Sequence, residues 1–487
     1  MNGRRGIALA KILFVLAGSC GSLISGVVVG APIDELRTTL DDQTGLAVTI
    51  YNQDLALIRD RRRVSLPKGE SQLAIRDVSA KIRPETTLLK NLEDAAGLRV
   101  LEQNFDFDLL SPQALLNKYV GEKIRVAKMN PATGEEIIET ARVLSNNNGL
   151  VLQYDDRIET GAAGRLIFDR LPRRLRDRPT LVTHLQSAAA GVREVELSYL
   201  SGGLSWQADY IAELNGDDAL LDLQGWVTLT NRSGTRYPNS KLQLVAGDVN
   251  RVKTQLVRRR GPERVMAMAD AAPMAEEALF EYHLYTVPRA TTLENNQTKQ
   301  VALLAATKVP VRKKLLLAGE EYYYRGQHGD LSRKQKIAVM VEFDNDEASH
   351  LGMPLPKGIV RVYKQDKAGY AQFVGEDRID HTPKNRPVKL KLGNSFDVTA
   401  DRLQTNYAKR NASGRFKHAS ESSYTITLFN AKPTAVTVTV RESLPGDWKI
   451  LDENLAHKKV AAHQVEWLVE VPAGGQAELI YRVLVRY

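Results

Sequence analysis

An all-β protein, mainly antiparallel, is predicted for this chain of 487 residues. Apolar and polar residues alternate with period two through most of it, the pattern of half-buried strands. Clusters of Gly, Pro, Asn and Asp recur between the alternating stretches as turns, and helical spacing is scarce. Together these features predict a multi-domain β-sandwich protein with a small SH3- or Sm-like barrel module and a C-terminal immunoglobulin-like sandwich.

Leu46 to Tyr51 opens the body as antiparallel β, and the alternation resumes on both sides of a Pro67-Lys68-Gly69 turn. Ser111-Pro112 supplies an N-cap and an N1 proline for a short helix ending near Tyr119. The next forty residues predict four or five short strands, with turns at Asn130 to Gly134 and Asn146 to Gly149. Short, closely spaced strands suggest closure into a small barrel, because closure removes exposed edges. Longer strands follow from Glu194. Leu221 to Asn231 alternates almost without a break, and Trp206 and Tyr210, four apart, fall on one strand face as core aromatics.

Arg251 to Leu279 breaks the pattern with three consecutive arginines, Gly261-Pro262 and a Met/Ala-rich run, so a flexible insertion is expected, with a brief helix at AEEALFEYHL. Asp344-Asn345-Asp346 is expected as an exposed turn. Two hairpins are expected near the end, one around Ala431-Lys432-Pro433 and one around Pro472 to Gly475, with Trp448 and Trp467 packed between sheets. The implied domains are 1–31, a leader; 32–110, an N-terminal β region; 111–190, helix plus barrel-like module; 191–404, a central sandwich carrying the insertion 251–279; and 405–487, the C-terminal sandwich. No internal repeat stands out.

Composition narrows the class. At 43% hydrophobic and 26% charged residues, the chain is neither collagenous nor disordered nor a multi-span membrane protein. Arg4 and Arg5 followed by the uncharged run Ile12 to Gly30 form an export signal. Cleavage before Ala31 is favoured. Retention as an inner-membrane anchor is the alternative, since the run approaches the roughly 20 residues that span a bilayer, and lipidation of Cys20 ranks last. Cys20 is the single cysteine, so no intramolecular disulfide forms. The leader carries Arg4, Arg5 and Lys11 and no acid, which leaves +6 of the formal +9 on the remainder. That is a mild excess for so long a chain, and together with export it argues against a nucleic-acid partner.

Four ordered strings, VELSYLSGGLSWQADY, VTLTNRSGTRYPNSKLQLVAGDVN, EYHLYTVPRATTLENNQTKQVALL and PLPKGIVRVYKQDKAGYAQFVGEDRIDHTP, resemble the bacterial domain-of-unknown-function family 4139 from about Arg193 to Tyr487. That family also includes proteins labelled mucoidy inhibitors, often with an N-terminal coiled coil; no heptad run is visible here. The resemblance implies an exported β-rich protein and carries over no catalytic residue. Asn231 and Gly234 are expected to form a hairpin or a bulge that turns the chain, and the amides of Asn295 to Lys299 to bond backbone.

Chemical motifs give no catalytic, cofactor-binding or metal-binding assignment. Gly203 to Gln207 lacks the second glycine of a nucleophile elbow, and no phosphate-cradling glycine loop occurs. His457 and His463 could meet across a turn, and Asp344 to Glu347 could offer oxygens to calcium, but neither has a full ligand pattern. Asp155-Asp156 and Asp217-Asp218 are adjacent carboxylates, which point to opposite strand faces and do not flank a sugar alone. The densest basic cluster is Arg170, Arg173, Arg174, Arg176 and Arg178. It is either a contact for an anionic envelope surface or an inter-domain crossing paired with Asp169 and Asp177. The expected protein is therefore a periplasmic or envelope-associated, non-catalytic binding or scaffold module for another envelope protein or a surface polymer. The alternative is an envelope glycan or peptide hydrolase with a site assembled from distant residues.

Overall fold

The computed structural model describes residues 35–487 apart from 53, 107, 162–163, 173–174, 248–249, 251–273 and 412–415. The leader with Cys20 and most of the expected insertion lie outside the described residues. The described chain is built of strands in several mostly antiparallel sheets. Among the described residues, no helix is long and apolar enough to cross a membrane.

Leu55–Leu66 illustrates why the first core forms where it does. Every second residue from Ile58 to Leu66 is buried, so one face of the strand covers a core. This strand sits in a sheet with Gln43–Tyr51, Gly191–Ser201 and Tyr237–Ala246, opposite a four-stranded sheet ordered Glu35–Thr38, Gly69–Arg76, Thr180–Ser187, Leu98–Asp106. The Pro67-Lys68-Gly69 turn does not close a hairpin. It passes the chain from one sheet to the other, with Gly69 at φ 96, a region that glycine enters without steric cost.

The excursion between Leu98–Asp106 and Thr180–Ser187 returns to its starting edge, since those two strands pair. It opens with the expected helix, Pro112–Lys118, whose Ser111 side chain accepts from the Ala114 N–H at 3.0 Å. Its strands form a five-stranded sheet over Tyr119, Val126, Val143 and Leu152. The expected closed barrel is not formed. The edge strands Ile158–Thr160 and Arg165–Ile167 each pair on one side only, and at three residues each they are too short to supply the tilt and stagger that closure requires. The expected helix near residue 275 is also replaced: Ala275–Leu279 is an edge strand paired with Tyr282–Thr286, because a neighbouring strand edge supplies hydrogen bonds that so short a helix cannot match.

The remaining strands form a thirteen-stranded sheet held together by two long members. Gln297–Ala318, 22 residues, pairs with Leu220–Asn231 up to Pro310 and with Asp330–Asn345 from Val311 onward. Arg386–Arg410, 25 residues, pairs with Asp330–Asn345 and, from Val398, with Ala419–Asn430. Each long strand thus serves two successive units. Seven strands, from Ala371–Ile379 round to Arg386–Arg410, curl until their outer edges meet, and the Lys391 N–H donates to Asp377 Oδ2 at 2.7 Å. At that approach a Cβ on Gly375 would lie 2.2 Å from the Leu392 carbonyl oxygen, so glycine is required there.

Two large cores result. The first joins the N-terminal sandwich to the curled sheet; the second lies in the C-terminal sandwich and takes in Leu315, Tyr324 and Val398 from the long strands and their neighbours. Trp467 is fully buried in the second core and stacks on Tyr481 with 4.7 Å between centroids.

Candidate functional site

Three asparagines at strand ends act on backbone, the first of them within the motif strings. Asn231, at the end of Leu220–Asn231, donates from Nδ2 to the carbonyls of Thr235 (2.9 Å), Leu293 (3.4 Å) and Glu294 (3.0 Å), while its Oδ1 accepts from the Ser233 N–H (3.0 Å). Asn430, at the end of Ala419–Asn430, repeats the pattern with Thr434 (2.9 Å), Val471 (3.3 Å), Pro472 (3.0 Å) and the Lys432 N–H (3.0 Å). Asn345 plays a related part with Met353 and Pro383. Both expected C-terminal hairpins are overturned by this arrangement. Ala419–Asn430 and Val436–Ser443 do not pair, nor do Gln464–Val471 and Gln476–Arg486. The connections are arches between facing sheets, and Asn430 ties the two arches together. A short repeat, TLTNRSGT at 228–235 and TLFNAKPT at 427–434, is the signal in the sequence that marks this shared device.

The other expected sites resolve into separate contacts. Tyr210 donates to the Pro356 carbonyl at 2.8 Å, and Trp206 packs beside Tyr285. Asn295 accepts from the Gly234 N–H and Gln297 from the Glu294 N–H. In the acidic turn, Asp344 pairs with Arg312, Asp346 caps a short 3-10 turn through the Ser349 N–H, and Glu347 pairs with Lys384. Asn345 is fully buried, so the turn is anchored rather than exposed throughout. Hydrogen bonds from Arg312 and Lys384 hold the Asp344 and Glu347 carboxyls below their ordinary values. His457 bonds Glu453 and His463 the Leu444 carbonyl, and no group of three metal-ligating side chains occurs among the described residues.

In the arginine cluster, Arg170 uses its backbone on the Tyr119 hydroxyl. Arg176 pairs with Glu35 (2.6 Å) and Asp106 (2.9 Å), and Arg178 with Asp77 (2.5 Å). Hydrogen bonding to Arg176 outweighs burial and lowers the Glu35 carboxyl. Arg173 and Arg174 lie outside the described residues. The expected local partners are engaged elsewhere, Asp169 with Arg125 and Asp177 with Arg76.

The geometry brings together one cleft that no motif announced, of about 190 Å³. Leu214, Val339, Val341, Val374 and Leu392 line it, and at its rim Asp218 accepts from Lys313 Nζ (2.7 Å) and Lys364 Nζ (2.5 Å). Asp218 stands in the turn between Leu204–Leu214 and Leu220–Asn231 at φ 57, a left-handed conformation that Asp and Asn tolerate better than most residues. Burial opposes its ionisation, but the two lysines outweigh burial and keep the carboxyl below its ordinary value. An ion-paired carboxylate with two ammonium groups is neither a nucleophile–base pair nor two carboxylates set across a sugar. The arrangement sets two ammonium groups and one carboxylate beside an apolar wall.

The fold and this placement of side chains define an all-β protein of several mostly antiparallel sheets, successive units of which are fused through shared strands. The family model for the domain of unknown function DUF4139 matches residues 195–487, more than half of the chain, and the protein belongs to that family. Comparison with curated proteins gave no match.

Proposed function

We propose that this protein is a non-catalytic module of the cell envelope that binds another envelope protein or an anionic surface polymer through loops and strand edges. The observation that carries this reading is the sharing of Gln297–Ala318 and Arg386–Arg410 between successive ladders. Shared strands hold the loops of neighbouring units at fixed separations, which reduces the entropy lost on binding a large partner. Asn231 and Asn430 support it, since they brace the arches that carry exposed loops. So does Phe396, 95% exposed beside a hollow formed with Phe429, Ala431 and Gly475, an aromatic placed as an anchor for a partner. The basic and apolar leader supports export.

In-cell crosslinking of the full-length protein, with mass-spectrometric identification of what is captured, tests the proposal. One stoichiometric envelope partner, released by Phe396→Ser, is the expected result. An empty capture, combined with cleavage of a glycan or peptide library by the purified protein, would replace it with a hydrolase.

A further inference from the structure

We infer that the cleft at Asp218 is a binding site for a small amphipathic carboxylate: one anionic head and an apolar body of roughly six to eight carbons. This is separate from the macromolecular partner proposed above and does not depend on export.

Size is the first argument. About 190 Å³ exceeds the roughly 150 Å³ of a dry cavity that takes up benzene and falls below the roughly 300 Å³ where drug-sized pockets begin. Position is the second. Leu392 packs against the first core and Val339 against the C-terminal one, so the cleft opens on the seam between them, where ligand sites are favoured. The ladder is irregular at the same place. Pairing between Asp330–Asn345 and Arg386–Arg410 slips between Val339 and Met340, leaving Leu392 unmatched beside Gly393 at φ 151. Bulges of this kind re-aim side chains and often border functional sites.

Charge is the third. Two ammonium groups face one carboxylate, an excess of one positive charge, and Asp218 is the single acid lining the cleft. An ammonium group has three donors, so Lys313 and Lys364 can bind Asp218 and a second carboxylate together. An apolar wall ending in two lysines matches an acid with a short hydrocarbon body, and the same chemistry occurs in a free alkanoate and in a peptide ending in leucine.

Calorimetric titration of the full chain with octanoate tests the site. One octanoate per chain is expected, with affinity falling about tenfold in Lys313→Gln and in Lys364→Gln, since each change removes one charge-assisted hydrogen bond. Octanol, which lacks the charge, should bind correspondingly more weakly. Val374, 40% exposed at the mouth, can be enlarged without disturbing a core, and Val374→Trp should abolish binding. Asp218→Asn separates a ligand site from a structural bridge. Asn accepts the same backbone conformation, and removal of the competing carboxylate should tighten octanoate several-fold. Competition by N-acetyl-leucine would mark a peptide terminus as the source, and its failure a free acid. Saturation that survives Val374→Trp, affinity that fails to rise in Asp218→Asn, or no saturation by octanoate below its micelle concentration overturns the inference.

Discussion

Each of the two large cores contains a buried arginine–carboxylate pair, and the two pairs are built differently. In the first core, Asp60 and Arg62 stand two apart on Leu55–Leu66 and therefore point to the same side. Arg62 also donates to the carbonyls of Thr38 (3.2 Å) and Arg76 (2.8 Å), and Gln43 donates to Asp60 Oδ1 (2.7 Å). In the C-terminal core, Arg402 and Glu442 come from Arg386–Arg410 and Val436–Ser443, strands that do not pair with each other, and both side chains are fully buried. Tyr324 donates to Glu442 Oε2 at 2.7 Å, and the Arg402 guanidinium lies 4.9 Å from the Tyr323 ring centroid, with Nη2 lacking a hydrogen-bond partner. The Cβ of any residue replacing Gly319 would meet the Glu442 carboxylate at 1.8 Å. The first pair is a local element with satisfied surroundings. The second joins separate strands across a core, with Tyr324 as the further donor to Glu442 and Gln335 as a 3.3 Å acceptor for Arg402 Nε.

Removing one partner should therefore cost most in the C-terminal core. Arg402→Met strands a buried Glu442 whose remaining donor is Tyr324, and a loss of about 3–5 kcal/mol is expected from urea unfolding. Arg62→Met leaves Asp60 its Gln43 donor and should fall at or below the low end of that range. Adding Glu442→Leu to Arg402→Met should recover most of the loss, since an apolar pair carries no desolvation penalty. Equal losses at Arg402 and Arg62 would show that spanning two strands adds nothing.

The asparagine arches sharpen the same contrast. Asn430→Ala removes the amide donor to the Thr434 and Val471 carbonyls and leaves Pro472 only the Gly475 N–H, and about 2–3 kcal/mol is expected. At the corresponding position in the first core, the Ser233 hydroxyl also reaches the Thr235 carbonyl (3.3 Å) and Tyr237 donates to Ser233 (3.0 Å). Asn231→Ala should cost less, about 1–2 kcal/mol, because part of the network survives. Urea midpoints of the two variants, measured at constant slope, decide the order.

These devices also show what was legible in the sequence. The face of each strand was, because period two is a local property: Leu221, Leu223, Val227 and Leu229 are all buried as their alternation requires. So was the helix start at Ser111. The partner of each strand was not. Val436–Ser443 and Ala419–Asn430 alternate as hairpin arms would, yet the arch after Asn430 sends them to facing sheets, and turn composition alone does not distinguish an arch from a hairpin. Arg62 and Arg402 lie on the inward faces that period two marks, but most of the groups that satisfy them there, Thr38 and Arg76 for the first and Glu442 for the second, are remote along the chain. The cleft was invisible for the same reason: Leu214, Lys313, Val339 and Leu392 meet only after four strands have curled together.

The C-terminal core should also titrate differently from solvent-exposed tyrosine. Burial pushes the Tyr424 phenol up to about 12, and raises Tyr324 and Tyr481 well above the ordinary value. An unfolded tyrosine ionises near 10. Between these values the folded state holds protons that the unfolded state has lost, so stability is intact below pH 10 and falls as pH rises through the folded values. At pH 11 each such tyrosine accounts for about 1.4 kcal/mol of that loss. Tyr424→Phe should flatten the decline in unfolding free energy between pH 9 and 11 by about that amount. An unchanged slope would place the ionisation elsewhere.

The smallest effect belongs to the densest group of charges on the inserted module. Arg157 bonds Glu159 (2.7 Å), Glu139 (2.9 Å) and Asp156 (2.8 Å) and covers the Tyr154 ring, with Lys128 bonded to Glu159 alongside. By number of partners it exceeds the Arg402 pair. Its side chain is 37% exposed, however, so water and salt screen every one of those attractions and the unfolded chain loses little by making them with solvent instead. Arg157→Gln should leave the urea midpoint unchanged within error at physiological salt, while Arg402→Met, which removes a single ion pair, unfolds the C-terminal sandwich at far lower urea. A large loss at Arg157 would mean that partner number, and not burial, sets the worth of a charge in this fold.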